Sequence, residues 1–164
     1  GDVPNFGGGE RSEVRAGGSF DVRSGQETWY SWSMRLGDAG KGFNPTTGWG
    51  LIVMQWHSDE GSPPLSVHAE GGQISLQNDR KGGYVKNVCP IDAGVWHNYV
   101  LHVKWSNTNS GLVEMWRDGQ KLASYNAWNC VGSESNYLKM GIYRDQAHTN
   151  EHIVWHDSVR QYRV

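Results

Sequence analysis

Asn136-Tyr137-Leu138-Lys139-Met140-Gly141-Ile142-Tyr143-Arg144 is the stretch on which the reading of this chain turns. A β-strand sends successive side chains to opposite faces. At that period Leu138, Met140 and Ile142 share one face, and all three are apolar. Tyr137, Lys139, Gly141 and Tyr143 share the other, which carries two phenols and an ammonium around a bare glycine. A glycine inside a strand marks a close approach of another backbone or of a ligand. The stretch therefore predicts a strand with a core face and a working face.

The same period recurs outward from it. Residues 28–36 alternate, with Tyr30, Trp32, Met34 and Leu36 against Ser31, Ser33 and Arg35. In residues 49–57, Ile52, Met54 and Trp56 are expected to face in, and Val53, Gln55 and His57 out. Further strands are predicted over 10–14, 20–23, 65–70, 73–78, 84–88, 95–106, 112–117, 120–124 and 153–159. Gly71-Gly72 and Asp118-Gly119 have the composition of tight hairpins. Turns are expected at Asn44-Pro45 and over 79–83, after a polar, glycine-rich lead-in over 1–9. No segment repeats apolar residues at helical spacing for three turns. Short strands joined by glycine turns predict an all-β, antiparallel β-sandwich in a single domain spanning 1–164.

Composition narrows the function. The chain has 164 residues, nine tryptophans, 22 glycines and a net charge of −2. No basic field points to nucleic acid, and no apolar run approaches the ~20 residues of a membrane helix. No signal peptide is visible, and the first residue is Gly1, so the chain reads as processed, trimmed or part of a longer product. Cys89 and Cys130 are the two cysteines. They are either free buried thiols or a disulfide. The extracellular cast of the composition sets the expectation at a disulfide, which would stabilise by roughly 3–4 kcal/mol.

Three predicted strands carry chemistry on one face: Arg11, Glu13 and Arg15; Gln55 and His57; Tyr137, Lys139 and Tyr143. If they are neighbours in one sheet, they form a groove of cations, an amide, an imidazole and phenols. That set fits an extended anionic ligand, an anionic polysaccharide. It also fits β-elimination on a uronic acid, in which the C5 proton is removed beside the carboxylate. Arg and Gln can stabilise the enolate-like charge that develops, and a neutral His or a deprotonated Tyr can take the proton.

In sequence order, Arg11-Ser12-Glu13-Val14-Arg15, Gln55-Trp56-His57 and Tyr137-Leu138-Lys139-Met140-Gly141-Ile142-Tyr143 resemble three signature blocks of the jelly-roll alginate lyases, R-[ST]-E-[LV]-R, Q-[IV]-H and Y-x-K-x-G-x-Y. Residues 95–106 and 111–119 are more similar to the glucuronan lyase and heparin lyase I group. The resemblance runs from Arg11 to about Val159. It implies a concanavalin-like jelly roll and a secreted, monomeric lyase needing no cofactor. It also implies that Gln55 and Arg11 hold the carboxylate, that His57 is the base or a charge neutraliser, and that Tyr143 is the acid and often the base. Lys139 would bind substrate, with Arg15, Tyr137 and Gln77. The chain departs from the pattern in two ways. Trp56 replaces a small aliphatic residue, and family members carry more chain before the arginine block. A missing strand there would leave a sheet edge open or need another chain to cover it.

Other readings stay in view. A lectin-like binding domain of a larger adhesive or virion surface protein would share the fold but needs no acid and base. A sandwich glycoside hydrolase needs closely paired carboxylates, and no such strand motif is present. The histidines other than His57 read as structural or surface residues. His152 and His156 lack a third ligand for a metal, and Asp38 or Asp59 could hold a structural calcium.

Overall fold

The computed structural model describes residues 9–38, 43, 51–59, 61–78, 84–132 and 135–164, with the backbone alone at 84 and 85. Among the described residues eleven strands form in chain order: β1 (Gly9–Arg15), β2 (Glu27–Leu36), β3 (Leu51–His57), β4 (Leu65–Glu70), β5 (Gln73–Asn78), β6 (Tyr84–Pro90), β7 (His97–Lys104), β8 (Leu112–Arg117), β9 (Gln120–Asn126), β10 (Tyr137–Asp145) and β11 (Val154–Arg163). They build a six-stranded sheet ordered β1-β10-β3-β4-β5-β6 and a five-stranded sheet ordered β11-β2-β7-β8-β9. Every pairing is antiparallel. The architecture is an antiparallel β-sandwich of jelly-roll type.

Inward side chains of the two sheets meet as the alternation demands. Tyr30, Trp32, Met34 and Leu36 of β2 are buried against Met54, Trp56, Val67, Leu76 and Leu138 of the other sheet. Tyr30 contacts Trp56 edge-on at 4.9 Å between centroids and Trp105 at 6.5 Å. Trp105 donates its indole N–H to Thr28 Oγ1 at 2.7 Å, so the buried polar edge is satisfied. Burying one such side chain stabilises by roughly 1.5–3 kcal/mol. The tight turns form where expected: Gly71 and Gly72 have φ of 56° and 75°, and Asp118 and Gly119 have 51° and 82°. Two successive positive φ values match the twist of a two-residue hairpin.

Four expectations need correction. Residues 20–23 are not a strand: Gly18–Phe20 is a 3-10 turn, and Val22 makes one isolated bridge to Asn136. The last strand runs on to Arg163, because a register shift between Asp157 and Arg160 breaks its alternation without ending its pairing with β2. Cys89 and Cys130 are free buried thiols, not a disulfide. Cys89 sits on β6 opposite Ile74, and Cys130 Sγ accepts from Asn136 Nδ2 at 2.9 Å. Ile52 does not face the core: a bulge at Val53 turns both Val53 and Met54 inward and Ile52 outward. The turns expected at Asn44-Pro45 and 79–83, and the lead-in before Gly9, lie outside the described residues.

Among the described residues, β1 and β11 are the edges of their sheets on one side of the sandwich. A cavity of about 610 Å³ opens there between Val14, Met140, His156 and Val159. Val14 lies in the core-facing row with Met140 and Met54, yet is 64% exposed.

Candidate active site

The outer face of the six-stranded sheet carries the site. β10 lies between β1 and β3, and the register sets the neighbours. Lys139 stands opposite Arg15 on one side and Gln55 on the other, Tyr143 opposite Arg11 and Ile52, and Tyr137 opposite His57. Directly opposed residues share a face, with Cβ atoms about 4.5–5.5 Å apart. Arg11, Gln55, His57, Tyr137, Lys139 and Tyr143 thus line one groove of about 500 Å³, closed on one flank by Asp59 and the turn through Pro63.

Strand packing explains the bare position. Gly141 has φ 136°, and a Cβ there would lie 2.1 Å from Ser12 O and 2.8 Å from Glu13 Cα. Here the glycine marks the close approach of β1.

The cations are held over aromatic rings. The Arg11 guanidinium lies 4.3 Å from the Tyr143 ring centroid and that of Arg15 3.8 Å from Tyr137. Burial pushes the Lys139 ammonium below its usual pKa; Glu13 opposes that shift, while Arg11 and Arg15 add to it. Burial is also the main cause that lowers His57, assisted by Lys139 and Arg11 and opposed by its bond to Ser58. Below its usual value, the imidazole is neutral near neutral pH. His57 Nδ1 bonds the Ser58 carbonyl. A carbonyl only accepts, so Nδ1 carries the proton and Nε2 keeps a lone pair. The Tyr137 hydroxyl lies 3.4 Å from the same Nδ1, and its ring stacks on the imidazole. Burial first, then Asp59, raises the Tyr137 pKa, so it remains a phenol.

Two expected binders stand apart. Arg15 is exposed and bounds the groove only through Tyr137. Gln77 is on the groove face but two strands beyond Gln55, and its amide donates to Glu70 at 2.9 Å. Among the described residues, no three His, Cys, Asp or Glu side chains stand together as metal ligands. Asp38 instead receives Arg35 Nη2 at 2.6 Å, and Asp59 forms groove wall. His152 accepts from Arg144 Nη1 at 3.0 Å, and His156 faces the inter-sheet cavity.

Sequence reasoning gave no role to two side chains here. Ile52, which the bulge turns outward, stands opposite Tyr143. Glu13 accepts a hydrogen bond from Gln55 Nε2; its shared face with Arg11 and Arg15 was the available signal.

A family model described as polysaccharide lyase matches residues 1–160. No curated protein sequence matches the chain. An endo-β-1,4-glucuronan lyase from the fungus Trichoderma reesei superposes with a TM-score of 0.75 at 23% identity, over 97% of this chain and 76% of that one. An alginate lyase from Pseudomonas aeruginosa gives 0.61 at 16%, over 94% and 74%. One from Corynebacterium sp. gives 0.59 at 13%, over 98% and 66%. At these identities the likeness is one of fold.

Proposed function

The chain belongs to the polysaccharide lyase family, and on that premise we propose that it cleaves a uronic-acid-containing polysaccharide, of glucuronan or alginate type, by β-elimination. The observation that carries the reading is a single groove in which a neutral imidazole and a phenol stand among cations and an amide. Arg11 and Gln55 engage the uronate carboxylate and stabilise the negative charge that grows on it as the C5 proton leaves. His57 Nε2 or the Tyr143 oxygen takes that proton. The electron pair of the C5–H bond becomes the C4–C5 double bond, and the C4–O bond breaks. Tyr143 supplies a proton to the departing glycosidic oxygen. Lys139 pairs with carboxylates along the polymer, with Arg15 and Tyr137 at the groove margin. No step requires a metal.

An extended polymer fits a groove that, among the described residues, runs across β1, β10 and β3. We place the enzyme outside the cell, acting as a monomer, where such polymers are met. Among the described residues, no helix is long and apolar enough to cross a membrane. A purely binding domain would need the cations and aromatic rings but not the pairing of neutral His57 with Tyr143.

A panel of glucuronan, alginate enriched in either epimer, heparin-like chains and a neutral glucan tests the reading. Ultraviolet absorbance of the new C4–C5 double bond should rise with at least one uronate polymer and stay flat with the glucan. A protein that binds a uronate polymer and cleaves none would be a lectin.

A further inference from the structure

We propose that Glu13 is a positioning residue that holds the Gln55 amide in the orientation a uronate carboxylate requires, reaching it across β10 at Gly141, where the bare backbone lets β1 come close. The proposal rests on the uronate reading above. Glu13 and Gln55 are not on neighbouring strands, since β10 separates β1 from β3. Their side chains must span two strand spacings, roughly 9–10 Å. The β10 residue opposite Glu13 is Gly141. The other groove-facing positions of that strand carry Tyr137, Lys139 and Tyr143, any of which would block the crossing. Over the glycine, Glu13 Oε1 meets Gln55 Nε2.

The contact decides which end of the amide faces which way. A carboxylate only accepts hydrogen bonds, so it captures the nitrogen end. Without it, an amide near Arg11, Arg15 and Lys139 would turn its oxygen toward the cations. Its partial negative end would then occupy the charges meant for substrate. Gln55 is 1% exposed, and its Oε1 is buried with no hydrogen-bond partner among the described residues, as is Glu13 Oε2. Leaving such acceptors unpaired costs about 1–3 kcal/mol each; a carboxylate, itself only an acceptor, cannot satisfy them, but the hydroxyl groups of the same sugar can. The second N–H of Nε2 is not used by Glu13 Oε1 and can serve the carboxylate.

The test is a double-mutant cycle on the polymer the wild type cleaves. Glu13→Ala should lower kcat by ~10²–10³-fold, the loss from removing one preorganised donor, with KM moving less than about threefold. Gln55→Ala should fall as far, and the double variant no further than Gln55→Ala alone. Glu13→Gln, whose carbonyl can still accept from Nε2, should recover most of the rate. Losses that multiply in the double variant, or a Glu13→Gln as slow as Glu13→Ala, would overturn the proposal. A second readout is independent of turnover. The Gln55 side-chain amide protons, identified by NMR through their loss in Gln55→Ala, should be shifted downfield and slow to exchange in wild type but not in Glu13→Ala. An amide signal unchanged by Glu13→Ala rejects the assignment whatever the activity. A wild type inert on every uronate polymer, with that signal behaving as expected, rejects the substrate reading instead.

Discussion

The Tyr143 ring is packed under the Arg11 guanidinium, so its hydroxyl can be removed without disturbing the stack. Tyr143→Phe should lower elimination by at least ~10²–10⁴-fold, the range of one acid–base group, while polymer affinity by gel retardation stays within a few-fold. Wild-type turnover in that variant would remove Tyr143 from the mechanism. His57 gives a pH prediction. Its folded pKa is lowered, and the neutral form is the one that can accept a proton. The acidic limb of kcat/KM should therefore inflect below the ordinary value near ~6.5. Lys139 is one of the charges lowering it, so Lys139→Ala should move the inflection upward while raising KM. An unmoved limb would mean that His57 does not set it. Gln55, His57, Lys139 and Tyr143 were legible in the sequence because each lies in a short block whose parity fixes its face. The role of Glu13 was not, because its partner is 42 positions away on a strand it does not pair with.

Among the elements, β10 was read almost completely: Leu138, Met140 and Ile142 pack on the core and Tyr137, Lys139 and Tyr143 line the groove, although its pairing with β3 shifts register between Met140 and Tyr143. β3 was read correctly from Met54 to His57 and wrongly before Met54. A bulge shows itself in pairing, not in hydropathy, and Ile52 and Val53 are equally apolar. The same region of the sheet yields a stability prediction. Gly141 is in a backbone conformation that other residues rarely adopt, and β1 fills the space a side chain would need. Gly141→Ala should destabilise by about 2–4 kcal/mol, combining backbone strain with overpacking. It should also push β1 away and so reduce activity. Urea unfolding would show the lower midpoint; an unchanged midpoint would mean the two strands are not in contact.

At the scale of the whole molecule, the sandwich was legible from strand spacing and glycine turns, whereas the state of the thiols was not. Composition says where a protein works, but only geometry says which sulfurs meet. Buried histidines give the fold a pH dependence. Burial pushes His68 and His156 down to about 4. Between about 6.5 and 4 the unfolded chain binds protons that the folded chain refuses, so stability is full above 6.5 and falls as pH drops through this window. A second loss should follow below about 4.5, because Glu114 is held down to about 2, first by its bond from Lys121 and then by that to His102. Calorimetric Tm should decline steadily from pH 7 to 4; a flat profile would mean the two imidazoles are hydrated. The strand order also bears on synthesis. β1 has β10 as its neighbour, and Glu10 joins Arg144 from 134 positions away. On the ribosome β1 emerges long before its neighbour β10, and Gln55 and His57 wait for Lys139 and Tyr143. Long-range pairing of this kind is slow and exposes unpaired edges. The groove cannot exist on a nascent chain until β10 has been made, so catalytic competence arrives together with closure of the sheet.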